Sequence, residues 1–140
     1  MSPVSKNSVF GGEYCWERFP HVYAKAVNLC RKLTEEYNEM LKIYDVLIMP
    51  TTITPADPLP SENDSVIRKM SSTLGKLDNT CPFNATGHPA LAFPIGFVSA
   101  EADENVHVPT SMQIVGKHFD EITCLKVAYA WENARDWKKF

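Results

Sequence analysis

A long amphipathic helix that steps directly into a short apolar run constrains this fold most. Val22, Ala26, Leu29, Leu33, Tyr37, Met40 and Tyr44 recur at steps of 4, 3, 4, 4, 3 and 4 residues, one stripe of an α-helix. Cys30 and Leu41 widen the stripe, while Lys25, Asn28, Lys32, Glu35, Glu36 and Glu39 fill the opposite face. Pro20 suits the first turn, where its missing N–H breaks no helical bond. A helix over 20–44 extends about 37 Å at a rise of roughly 1.5 Å per residue. Asp45-Val46-Leu47-Ile48-Met49-Pro50 follows at once. Its apolar residues do not alternate with polar ones, which suits a strand buried on both faces, as in a parallel sheet.

The remaining elements are shorter. The strand and its loop span 46–60, with prolines at 50, 55, 58 and 60 marking an ordered loop. Val66, Met70, Leu74 and Leu77 predict a helix over 65–77. Turn-forming residues from Asn79 onward lead to a strand near 90–94, and Ser99 to His107 reads as an acidic surface loop. A third strand is predicted near 112–116. Asp120 caps a final helix over 120–136, with Glu121 favourably placed at its positive end. Ile122, Cys124, Leu125, Val127, Ala128, Tyr129 and Trp131 cover more than half its circumference, so deep burial is expected. The fold class is α/β, a mixed sheet flanked by helices. Three short strands are narrow for helices this apolar, so the sheet is expected to be incomplete on its own. Open edges and uncovered apolar faces favour self-association or a partner that covers them.

Charge excludes other classes. Fourteen Lys and Arg against 17 Asp and Glu leave a net charge of -3, with no bulk attraction to nucleic acid or an anionic membrane. No apolar run approaches the roughly 18–20 residues of a membrane span. Met1 to Gly12 has Lys6 as its one charge and no apolar core, unlike a secretory signal. Cys15, Cys30, Cys81 and Cys124 form no close pair, and His21, His88, His107 and His118 form no HxxxH or HxH. That argues against a metal site. Cys30 and Cys124 fall in apolar helical patterns and read as small buried hydrophobes. Reduced thiols point to a cytoplasmic setting.

Three segments carry a family likeness. Tyr44-Asp-Val-Leu-Ile-Met-Pro-Thr-Thr52, Asn79-Thr-Cys-Pro-Phe-Asn-Ala-Thr-Gly-His-Pro-Ala-Leu-Ala-Phe-Pro-Ile-Gly96 and Ser111-Met-Gln-Ile-Val-Gly-Lys-His-Phe-Asp-Glu121 resemble, in order, the C-terminal region of the amidase signature family. The likeness runs from about Tyr14 to Trp137, so the chain reads as a single partial amidase domain over 1–140. It implies an α/β/α core and hydrolysis of a small-molecule amide by a Ser–cis-Ser–Lys mechanism. In that mechanism a positioned base activates a nucleophile and N–H groups hold the oxyanion. The family's catalytic serines and lysine lie upstream of the region matched here. No catalytic residue, metal or cofactor is therefore assigned to this chain, and no activity is expected of it alone. A non-catalytic scaffold and one half of a split amidase are the rival readings.

Lys69-Met-Ser71-Ser72-Thr-Leu-Gly75-Lys76 imitates the catalytic set, but a backbone shaped to bind an oxyanion favours several glycines and only Gly75 is present. Cys81 with His88 imitates a thiol hydrolase. The resemblance instead places this loop beside an active site without supplying the nucleophile, and His88 reads as a turn residue. The same resemblance makes Thr51, Thr52, Leu77 and Cys81 candidates for lining the substrate channel. Pro109-Thr-Ser-Met-Gln113 stands where family members often have Pro-Val-Gly-Leu-Gln, and Ser111 for glycine is tolerable at a strand start.

Overall fold

The computed structural model describes residues 2–71 and 76–139 as five α-helices and a three-stranded sheet, an α/β arrangement. Helix α1 (Pro3–Arg18) has no counterpart in the sequence reading. Its start is a local device: the Ser2 side chain accepts the Ser5 N–H and Pro3 occupies the first turn. None of its residues is buried, so it carries no apolar stripe that periodicity could reveal. Helix α2 (Pro20–Ile43) matches the predicted 20–44, with Pro20 in its first turn. Phe19 alone separates the two helices, and a Trp16–Tyr23 edge contact at 5.6 Å bridges their junction.

The sheet corrects the expected pairing. Strands β1 (Leu47–Pro50), β2 (Ala90–Ala100) and β3 (Asp103–Val115) lie in the order β1-β3-β2, and both pairings are antiparallel. Leu47 lies opposite Val115 and Pro50 opposite Met112, while exposure alternates along β1. A continuous apolar run thus marked an edge strand with one side half open, not a parallel strand buried on both faces. The predicted 99–107 loop is instead the tip of a hairpin, turning at Glu101–Ala102, with Ser99 opposite His107. Its charged residues are exposed, where an antiparallel ribbon carries them without a desolvation cost. The strands placed near 90–94 and 112–116 are the inner parts of these longer ones.

Helix α3 (Val66–Ser71) is shorter than the predicted 65–77. Ser72 and Leu74 lie outside the described residues, and Leu77 begins the turn into α4 (Cys81–Thr86), accepting the N–H groups of Thr80 and Cys81. Helix α5 (Glu121–Ala134) starts as predicted, its Asp120 carboxylate accepting the Thr123 N–H. Its burial does not follow the prediction. Cys124 and Ala128 face the sheet, but Ile122, Leu125 and Tyr129 are 65%, 57% and 69% exposed. One three-stranded sheet offers this helix a single surface, and an apolar girdle wider than that surface stays in solvent.

The core is correspondingly small. Phe93, Ile114, Cys124 and Ala128 form it, with Leu91, Met112 and Val127 packed around them. Trp131 closes one side, donating its indole N–H to the Pro94 carbonyl at 3.2 Å. A 3-10 turn at Trp137–Lys139 stacks Trp137 on Phe97 with ring centres 5.6 Å apart. Among the described residues, the outer edges of β1 and β2 meet no further strand.

Candidate functional site

The loop leaving β1 and the turn entering α4 meet at one end of the sheet. Asn79 links them: its side-chain amide donates to the Pro50 carbonyl at 2.8 Å, and its own carbonyl accepts from the Gln113 amide. Gln113 is 3% exposed, so its end of this tie is buried, whereas the bond from Asn79 to Pro50 is exposed. The Thr51 N–H adds a bond to the Ser111 carbonyl at 3.1 Å, placing the departure from Pro-Val-Gly-Leu-Gln at the loop's anchor. The segments bearing Thr51, Thr52, Leu77 and Cys81 are thereby fastened together. Thr51 is half-buried, while Thr52, Leu77 and Cys81 are exposed.

Among the described residues, two hydroxyls at this site have no protein partner. Thr51 Oγ1 and Thr54 Oγ1 are buried without a hydrogen bond, whereas Thr52 Oγ1 donates to the Thr54 carbonyl at 2.8 Å. An unpaired buried hydroxyl costs about 1–3 kcal/mol, so this end of the sheet is suited to a polar group arriving from outside it. Replacing Asn79 by alanine is expected to cost about 0.5–1.5 kcal/mol by removing its exposed bond to Pro50. Amide exchange at Thr51 should quicken in that variant. Unchanged exchange would show that the Ser111 bond holds the loop without Asn79.

Among the described residues, Lys69, Ser71, Lys76 and His88 of the two imitated catalytic sets are bonded to other groups. Ser71 Oγ donates to the Arg68 carbonyl at 3.0 Å within α3, and Lys69 Nζ donates to the Glu62 carbonyl at 2.7 Å. Lys76 Nζ pairs with Asp57 at 2.7 Å and with the Pro55 carbonyl at 3.1 Å. Ser72 lies outside the described residues. Cys81 is exposed at the start of α4, and the ring nitrogens of His88 are engaged elsewhere.

His88 is the residue that sequence reasoning placed least well. Gly87 makes the expected turn at φ 78°, but the His88 side chain is 4% exposed. Its Nε2 lies 3.2 Å from Asn38 Oδ1, an acceptor, so Nε2 carries the proton. Nδ1 then accepts from the Thr86 hydroxyl at 2.9 Å. The His118 ring centre is 4.0 Å away and Tyr37 packs at 5.7 Å. Burial, and then the neighbouring His118, push the His88 imidazole below its ordinary value. Burial likewise pushes the Cys124 thiol up, with Asp120 adding to the effect. These histidines are separated by 30 residues in sequence, and no short motif announces their meeting. Among the described residues, no group of three metal-ligating side chains is gathered and no helix is long and apolar enough to cross a membrane.

Comparison with known proteins adds the remaining observation. The amidase family model matches residues 8–125. An uncharacterized protein in the nthA 5′ region of Rhodococcus erythropolis is 39% identical over 113 residues, covering 81% of this chain and 53% of that protein. A glutamyl-tRNA(Gln) amidotransferase subunit from Geobacillus thermodenitrificans is 36% identical over 118 residues, covering 84% of this chain but 22% of that protein. The corresponding protein of Exiguobacterium sibiricum is 35% identical over 112 residues, covering 80% of this chain and 21% of its own length. The chain thus spans about half of the first relative and about a fifth of the other two.

Proposed function

The chain belongs to the amidase family, and from that premise we propose that it forms the C-terminal portion of an enzyme that hydrolyses carboxamide C–N bonds. The observation that carries this reading is the asymmetry of coverage: 84% of this chain aligns with 22% of an amidotransferase protein. In the complete enzyme a Ser–cis-Ser–Lys set outside these 140 residues attacks the amide, releasing amine or ammonia and then acid. This chain contributes one wall of the substrate channel. Thr51, Thr52, Leu77 and Cys81 line it, and Asn79 with Gln113 holds the two lining segments in place. The substrate is a small-molecule amide and the setting is cytoplasmic.

A split enzyme is the second reading, and the exposed stripe Ile122, Leu125 and Tyr129 on α5 favours it. Apolar area left in water is the usual mark of a face that another surface covers. In either case the isolated chain is expected to be inert and to self-associate. A fluorophosphonate probe should leave the purified chain unlabelled. Labelling mapped to Ser71 or Ser72 would make the Ser/Lys imitation the active site and overturn the proposal. A compact monomer by size exclusion would remove the argument from uncovered faces.

A further inference from the structure

We propose that His88 is a proton-operated latch that holds α2 against the rest of the molecule. The inference rests on this chain's own packing and is independent of the amidase reading. Helix α2 is pinned near its C-terminal end, where Leu41 is 1% exposed, Tyr37 packs on Phe83 at 5.2 Å and on His88, and Asn38 bonds His88. Toward its N-terminus, Val22 and Leu29 are exposed, and α1 buries no residue. The two helices therefore form an arm whose buried anchor is Leu41, with Tyr37 half-buried beside it, while α1 also touches α3.

His88 sits where three parts of the chain meet: Tyr37 and Asn38 of α2, Thr86 of α4, and His118 after β3. The bonds described above suit only the neutral ring, with one nitrogen donating and one accepting. A proton arriving from solvent at Nδ1 turns both nitrogens into donors, so the Thr86 hydroxyl must stop donating and accept instead. The new charge is also buried, beside a second imidazole. Releasing α2 lets water solvate that charge.

The charged surroundings are mixed. Glu35, Glu39 and Lys42 of α2 face Lys117 and His118 across a groove of about 720 Å³, and Glu39 is paired with Lys42. Helix α4 brings no charged side chain. Asp120, just beyond, is occupied as the cap of α5.

The direction follows from linkage. A base whose attached-state value lies below its free value of 6.5 takes up protons more readily when released. Attachment is therefore strongest above pH ~6.5 and weakens as pH falls below it. Between about pH 7.5 and 5.5 the ratio of attached to released α2 should drop by up to about tenfold.

Hydrogen exchange, corrected for the intrinsic pH dependence of exchange, tests this. Protection over residues 34–41 should fall by up to about tenfold across that range, with a smaller change in Gln113–Val115 of β3. The step should vanish in His88→Gln. In His118→Phe, which keeps a ring beside His88 but removes the imidazole that pushes His88 down, the midpoint should move to higher pH. Should His88→Gln fail to fold, the His118→Phe shift decides by itself. Equal loss in both segments, a step that survives His88→Gln, or an unmoved midpoint in His118→Phe would overturn the latch.

Discussion

Replacing Ile114 by alanine is expected to remove about 2–5 kcal/mol of stability, seen as a lower urea midpoint with little change in slope. Ile114 is 0% exposed in the central strand, opposite Ile48 on one side and Leu91 on the other. It packs with Phe93, Cys124 and Ala128, so it joins the sheet to α5. Truncation removes buried methyl groups and leaves a cavity that strands on both sides keep from collapsing. The loss is large against the roughly 5–15 kcal/mol that holds an ordinary domain, and this core is small. A change below about 0.5 kcal/mol is what an exposed site gives, and it would show that the sheet does not pack as described.

The parts of the fold that depend on local chemistry were legible in the sequence. Pro20 and the apolar stripe gave α2 within one residue, and Asp120 marked the start of α5. The errors arose where one pattern serves two environments. Leu47 to Met49 is as apolar as a doubly covered strand, yet β1 lies at an edge. Residues 99–107 are polar because the hairpin is exposed, not because it lacks strand structure. The α5 girdle has the pattern of a buried helix, but composition records only what could be buried. The sheet present decides what is.

The candidate site divides in the same way. Thr51, Thr52, Leu77 and Cys81 came from resemblance. The Asn79 tie that fastens their segments was invisible because it reaches Pro50, 29 positions away, and Gln113, 34 positions away. His88 hid for a related reason. Its turn is local, set by Gly87, whereas Asn38 reaches it from 50 residues away. A sequence shows that a histidine follows a glycine; it does not show that a second imidazole lies above it.

Gly116 provides the second large effect, because it carries the close approach between β3 and α5. A Cβ at this position would lie 2.7 Å from Cys124 Sγ and 3.3 Å from the Asp120 carbonyl. Neither neighbour can withdraw easily: Cys124 is 2% exposed, and Asp120 is held as the helix cap. Gly116→Ala is therefore expected to cost about 1–3 kcal/mol by overpacking. Its N–H donates to the Pro89 carbonyl at 3.0 Å, so any backbone shift is passed to the residue after His88. Removing the thiol supplies the control. Cys124→Ala alone should cost a modest amount for the lost sulfur, but in the double variant the new methyl occupies space the sulfur leaves. The cost of the double variant should then fall short of the sum of the single ones by about 0.5–3 kcal/mol, the range for residues in direct contact. Strict additivity in urea denaturation would mean that the strand and helix do not meet at this glycine.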